Sequence, residues 1–193
     1  MQKINNAKGF TLIELLVVLA IVAVLSVVVI LTLNPAELLR QSRDSNRLSD
    51  LATMKSAISL YLVDVSLPSI GNPANCYVSF ATTTLGCGIF TVGTATSSSA
   101  ANNRKVDGSG WIPVNFTSIS SGAPLGNLPI DPANNSTYYY AYVTSGNLTL
   151  TFEIDAFLES TKYRGNMTSD GGSNNGVYEV GTSPGLALND FVE

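Results

Sequence analysis

Four groups of residues have types and spacing that could do chemistry. Gly9-Phe10, with Glu14 four positions on, sets a peptide bond and a carboxylate at the edge of an apolar run. Cys76 and Cys87 are the only cysteines, and could form a disulfide or hold a metal. Glu153 and Asp155 are spaced like an acid/base pair, and Asp170-Gly-Gly-Ser-Asn-Asn-Gly176 is rich in oxygen ligands. What is missing narrows these options. The chain has no histidine, so imidazole-based acid/base catalysis and His-ligated metals are excluded. Serine and threonine are abundant but lack their usual activating base. No Gly-rich phosphate loop or metal-ligand motif occurs. Glu153 and Asp155 fall on the outer face of an expected strand, where solvation is the simpler reading. The 170–176 loop lacks the spaced acids of an EF-hand, so a plain turn is expected over a Ca²⁺ loop. No enzyme and no cofactor are expected.

Composition says where to look instead. Charged residues make up 12% of the 193 residues, about half of a typical soluble domain's roughly 25%. Hydrophobic residues make up 45%, enough to build a core rather than a disordered chain. With 10 basic and 14 acidic residues the net charge is −4, which implies no nucleic-acid partner.

The apolar residues are concentrated near the start. From Phe10 to Leu33 the only ionisable residue is Glu14. A helix over that stretch reaches roughly 36 Å, enough to cross a hydrocarbon core of about 30 Å. A secretory signal peptide fits poorly, because its apolar centre is about 7–15 residues long and ends at a small-residue cleavage site. A plain anchor fits the length but leaves Glu14 unexplained, at about 2.5–3.5 kcal/mol for a carboxylate in a spanning helix.

The junction Lys8-Gly9-Phe10-Thr11-Leu12-Ile13-Glu14 resembles the cleavage site of a type IV prepilin. The resemblance covers Met1 to about Leu33 and implies a leader, 1–9, cut by a membrane prepilin peptidase between Gly9 and Phe10. It implies N-methylation of the new Phe10 amine, and pairing of that amine with Glu14 of a neighbouring subunit. Gly9, without a side chain, suits an extended pose in a protease. Pairing offsets the desolvation of both charges, so Glu14 would select register as a buried polar residue does in a coiled coil. Flanking charge leaves the topology open; the resemblance implies a cytoplasmic leader and an exported remainder.

Next, Asn34-Pro35 marks a cap or a kink. Leu51, Met54, Ile58, Tyr61 and Val65 then recur at steps of three and four, which predicts an amphipathic helix from Ala36 to about Val65 with a sheet on its apolar face. Arg40, Arg43 and Arg47, interleaved with Glu37, Asp44 and Asp50, read as a solvated face with local ion pairs. The alternative is a charge belt between subunits. Residues 43–51 also look like the equivalent part of many pilin-like proteins. Residues 66–193 carry nine acids and four bases. If they are exported, Cys76 and Cys87 are expected to pair as a disulfide; a two-Cys metal site lacks further ligands. Expected strands are Tyr77–Ala81, Gly88–Val92, Trp111–Phe116 and Val177–Val180. A hairpin is expected from Thr137–Thr144 and Asn147–Asp155, turning at Ser145-Gly146. Thr94 to Asn103 reads as a loop.

The organisation expected is therefore a leader at 1–9, a membrane and filament-core helix at 10–33, an amphipathic helix at 34–66, and an exported β-rich part at 67–193. The fold class is α+β, a long N-terminal helix packed on a small antiparallel sheet, as in the pilin fold. The resemblance implies a structural subunit of a type IV pilus-like filament. It would sit in the inner membrane before assembly, and then in an extracellular pilus. Its partners would be prepilin peptidase, other pilin copies and an inner-membrane assembly platform. The alternatives are a periplasmic pseudopilin of a type II secretion system, or a minor pilin acting in adhesion or DNA uptake. Pro129-Ile-Asp-Pro132 and Tyr178-Glu-Val-Gly181 resemble the globular region of such pseudopilins.

Overall fold

The computed structural model describes residues 9–80, 94–96 and 103–182, which fall in two compact units, 1–39 and 40–193. Helix α1 spans Leu12–Leu33, and α2 spans Pro35–Asp64. The strands are β1 (Asn75–Val78), β2 (Thr94–Thr96), β3 (Tyr140–Thr144), β4 (Phe152–Ala156) and β5 (Tyr178–Gly181), with a short helix α3 (Asn166–Ser169) before the last. The class is α+β, as expected.

In the first unit, the apolar run forms α1. No side chain from Leu12 to Ile30 is buried, and that stretch is long and apolar enough to cross a membrane. Its polar side chains are Glu14, in the first turn, and Ser26, which turns its hydroxyl back onto the Val22 carbonyl at 2.7 Å. At Asn34 the backbone turns left-handed (φ 39°), which ends α1. The Asn34 side chain then accepts from the Glu37 amide, and Pro35 occupies the first position of α2, where a missing N–H costs nothing. The Asn-Pro pair is thus a stop followed by a cap.

In the second unit, the apolar stripe of α2 meets the sheet. Leu51, Met54, Ile58 and Tyr61 are buried as the periodicity predicts; Val65 is only half-buried. They pack against Tyr140, Tyr142, Phe152, Ile154 and Val180 on one face of the sheet. Each fully buried side chain of this kind contributes about 1.5–3 kcal/mol. The sheet order is β2-β1-β3-β4-β5. β1, β3, β4 and β5 pair antiparallel, and β2 adds a parallel edge to β1. Two buried tyrosine hydroxyls are held in place: Tyr140 donates to Asp50 at 2.8 Å and Tyr142 to the Ile70 carbonyl at 2.7 Å.

Several expectations need correction. Thr94–Thr96 is the strand β2 rather than loop. Trp111–Phe116 is not a strand: Trp111, Ile112 and Val114 are buried in irregular chain, since Pro113 has no amide to offer a ladder, and Phe116 is buried at the start of a short 3-10 helix, Phe116–Ser118. The β3–β4 hairpin does not turn at Ser145-Gly146. Thr144 pairs with Phe152, so 145–151 is a longer loop. Ser145 holds it by accepting from the Thr151 amide at 3.1 Å, while Asn147 accepts from the Ile70 amide. Leu148, expected on an apolar strand face, is fully exposed there. The strand expected at Gly88–Val92 lies outside the described residues, whereas β5 follows the late strand with a shift of one residue.

Candidate functional site

The junction at the start of α1 is built by the sequence Thr11-Leu-Ile-Glu14. Gly9 and Phe10 precede the helix and are exposed, Phe10 at 90%. Nothing lies within 4 Å of where a Gly9 side chain would begin, so a side chain there would meet open space. Thr11, extended at ψ 151°, is the N-cap of α1. Its amide and hydroxyl both donate to Glu14 Oε2, at 2.8 and 2.7 Å, and its hydroxyl accepts from the Glu14 amide at 3.3 Å. This is a reciprocal capping box, which ties up donors that the first turn otherwise leaves unpaired. Its signature, Thr-x-x-Glu, went unread in the sequence.

Residues 4–30 match the family model described as the prokaryotic N-terminal methylation motif. This chain carries the class III signal of type IV pilin and pseudopilin precursors. Gly9, Phe10 and Glu14 all lie inside the matched stretch. No curated protein and no solved structure gives a significant match to the chain. The pilin-type signal implies processing by prepilin peptidase and assembly with other pilins, and points to a structural subunit rather than an enzyme.

Beyond the pilin-type signal, the structure gathers two charged clusters in the second unit. The first corrects the reading of the arginine face of α2. Arg47 is neither solvated nor part of an outward belt, being completely buried. Its Nε and Nη2 form a bidentate pair with Asp131 at 2.6 and 3.0 Å, and its Nη1 reaches Asp44 and Glu159, both at 2.7 Å. Arg43 grips Glu159 through Nε and Nη2, at 2.8 and 2.5 Å. Asp44 also accepts from the Glu159 and Ser160 amides, and Asp131 from those of Ala133 and Asn134. Burial alone would lower the Arg47 pKa, but the carboxylates of Asp131, Asp44 and Glu159 outweigh it and raise it. The hydrogen bond from Arg43, against some desolvation, and then Arg47 pull Glu159 down to about 2. Of the pairs expected within the helix, Asp44–Arg47 forms; Asp50 instead accepts from Tyr140. The cluster ties α2 to the loop at Asp131 and to the chain after β4. The Pro-Ile-Asp-Pro segment thus has a structural use that its sequence did not reveal.

The second cluster also corrects an expectation. Glu153 and Asp155 are not on a solvated face; they are 1% and 2% exposed. Both faces of β4 are buried. Strand alternation sends Phe152, Ile154 and Ala156 toward α2, and Glu153 and Asp155 to the opposite face. Register puts Asp155 beside Ala141 on one side and Glu179 on the other. Glu179 is itself 2% exposed. Ligand atoms of Glu153, Asp155 and Glu179 all lie within 4.8 Å of one another. Desolvation, then the adjacent Glu179, pushes Glu153 up to about 8, and desolvation with both neighbouring glutamates raises Asp155 well above its ordinary value. The loop after α3 folds over this row: Glu179 accepts from the Asn174 amide at 2.8 Å, and Asp170 accepts from the amides of Gly172 and Glu179.

Cys76 is fully buried in β1 and is not a free thiol. Its expected partner, Cys87, lies outside the described residues.

Proposed function

We propose that this chain is the precursor of a structural subunit of a type IV pilus-like filament. Prepilin peptidase cuts after Gly9, and the Phe10 amine is methylated. The subunit is held in the inner membrane by α1 until an assembly platform adds it to a filament of like subunits. Cys76 and Cys87 pair once exported. The observation that carries this reading is the combination at the head of α1: an exposed Gly9–Phe10 bond, then a helix apolar on all sides with one carboxylate in its first turn. Such a helix is stable only among lipid tails or other apolar helices. Both Thr11 bonds use Glu14 Oε2, so Oε1 can accept from a neighbour's terminal amine without dismantling the cap. That ion pair offsets the cost of a carboxylate in an apolar surround.

Glu14→Ala tests the assembly role: the mature mass is expected with few or no filaments, and normal filaments would refute it. Gly9→Val is expected to leave the leader attached, which mass spectrometry reads directly. Electron microscopy of cells labelled for this chain separates destinations. Surface fibres support the pilus, labelling confined to the periplasm supports a secretion pseudopilin, and sparse labelling at fibre tips supports a minor, adhesive subunit.

A further inference from the structure

We propose that Glu153, Asp155 and Glu179 form a binding site for one hard divalent cation, with Ca²⁺ or Mn²⁺ as suitable probes. Buried polar groups are almost always satisfied, and an unpaired buried charge is among the costliest features a fold can carry. Here both oxygens of Asp155 and Oε2 of Glu153 are buried without a hydrogen-bond partner. No cationic side chain among the described residues pairs with these oxygens. The unpartnered oxygens point at one another and at Glu179, with no ligand atom more than 4.8 Å from another. That span matches the distance across an oxygen-coordinated Ca²⁺, at about 2.3–2.6 Å per bond. Three carboxylates and no nitrogen or sulfur select a hard cation.

The surroundings favour a built site over an accident of crowding. Glu153 and Asp155 are fixed by the β4 ladder and Glu179 by its pairing with β5's neighbour. The loop that closes over them sits directly on the ligands: a Cβ at Gly172 would lie 2.0 Å from Glu179 Oε2. Asp170 is occupied holding that loop through two backbone amides. It adds negative potential without being a necessary ligand. Neutralisation by protons is the competing solution, and Asp170, Glu153, Asp155 and Glu179 are the titratable groups that face one another there. This inference does not depend on the filament reading.

The test uses the full chain in detergent, stripped with EDTA and returned to Ca²⁺, Mn²⁺ or Mg²⁺ at neutral pH. Calorimetry and elemental analysis are expected to find one tight divalent ion per chain. Thermal unfolding is expected to rise by roughly 5–10 °C at a hundredfold excess over Kd. Asp155→Asn and, separately, Glu179→Gln should abolish that shift, while Asp107→Asn, an exposed carboxylate, should keep it. In EDTA, Asp155→Asn should unfold no lower than the parent, because it removes an unpaired charge. No bound ion at millimolar metal, or a shift that survives both variants, overturns the proposal. So does a stability that tracks pH near 8 while ignoring every cation, which would assign the cluster to shared protons.

Discussion

The two units use the same apolar chemistry in opposite ways. In α1 the hydrophobic side chains face outward and the lone acid is held by a residue three positions away. In the sheet unit the hydrophobic side chains are inside, and so are six charged ones: Asp44, Arg47, Asp131, Glu153, Asp155 and Glu179. The first unit defers its burial to whatever surrounds it. The second completes its own: it pairs Arg47 with an acid 84 positions along the chain, and leaves buried oxygens of Glu153 and Asp155 without a partner among the described residues. An acid in α1 is therefore a question for assembly, and an acid in the sheet unit is a question for folding.

The largest way to break that contrast is Arg47→Met. It leaves Asp44, Asp131 and Glu159 buried without their main cation, and should cost about 3–5 kcal/mol. Denaturant unfolding followed by Trp111, the only tryptophan and fully buried, reads this directly. Glu14→Ala should move the same curve by less than about 0.5 kcal/mol; an equal loss would erase the distinction between the units. Next, Tyr140→Phe removes the donor to Asp50 and should cost about 1–2 kcal/mol in that assay. Burial already raises the Asp50 pKa against that bond, and losing it should raise it further.

Acid titration sharpens the comparison by its sign. Glu159 is held at about 2 in the folded unit, below its ordinary value of 4.5. A depressed folded pKa stabilises above the unfolded value, so this contribution is full above about pH 5 and fades as pH falls from 4.5 toward 2. Glu159→Gln should flatten that limb of the stability curve; an unchanged slope would show that other carboxylates govern it. The smallest effect belongs to α1: Val24→Leu keeps the apolar surface and should leave the sheet unit within about 0.5 kcal/mol.

Legibility in the sequence followed the range of the interactions. The apolar run and the α2 stripe rest on neighbours within a few positions, and could be read. Arg47 looked like one of three surface arginines because Asp131 lies 84 positions away. Glu153 and Asp155 looked solvated because alternation identifies two faces, and cannot say that the second is covered too. The hairpin register was missed because the turn is set by Ser145 and Thr151 side chains rather than by the Ser-Gly pair. β2 hid in a run of small residues because its pairing partner, β1, carries the specifying side chains.

The near-absence of polarity around α1 has one more consequence. With Ser26 folded back on Val22, Glu14 marks a height along the helix axis, but the side chains past the first turn mark no direction around it. A subunit built this way carries an axial address and almost no azimuthal one. One helix can then meet several differently placed neighbours with equal ease, and the choice of rotation falls to the more sharply featured surfaces outside the apolar stretch.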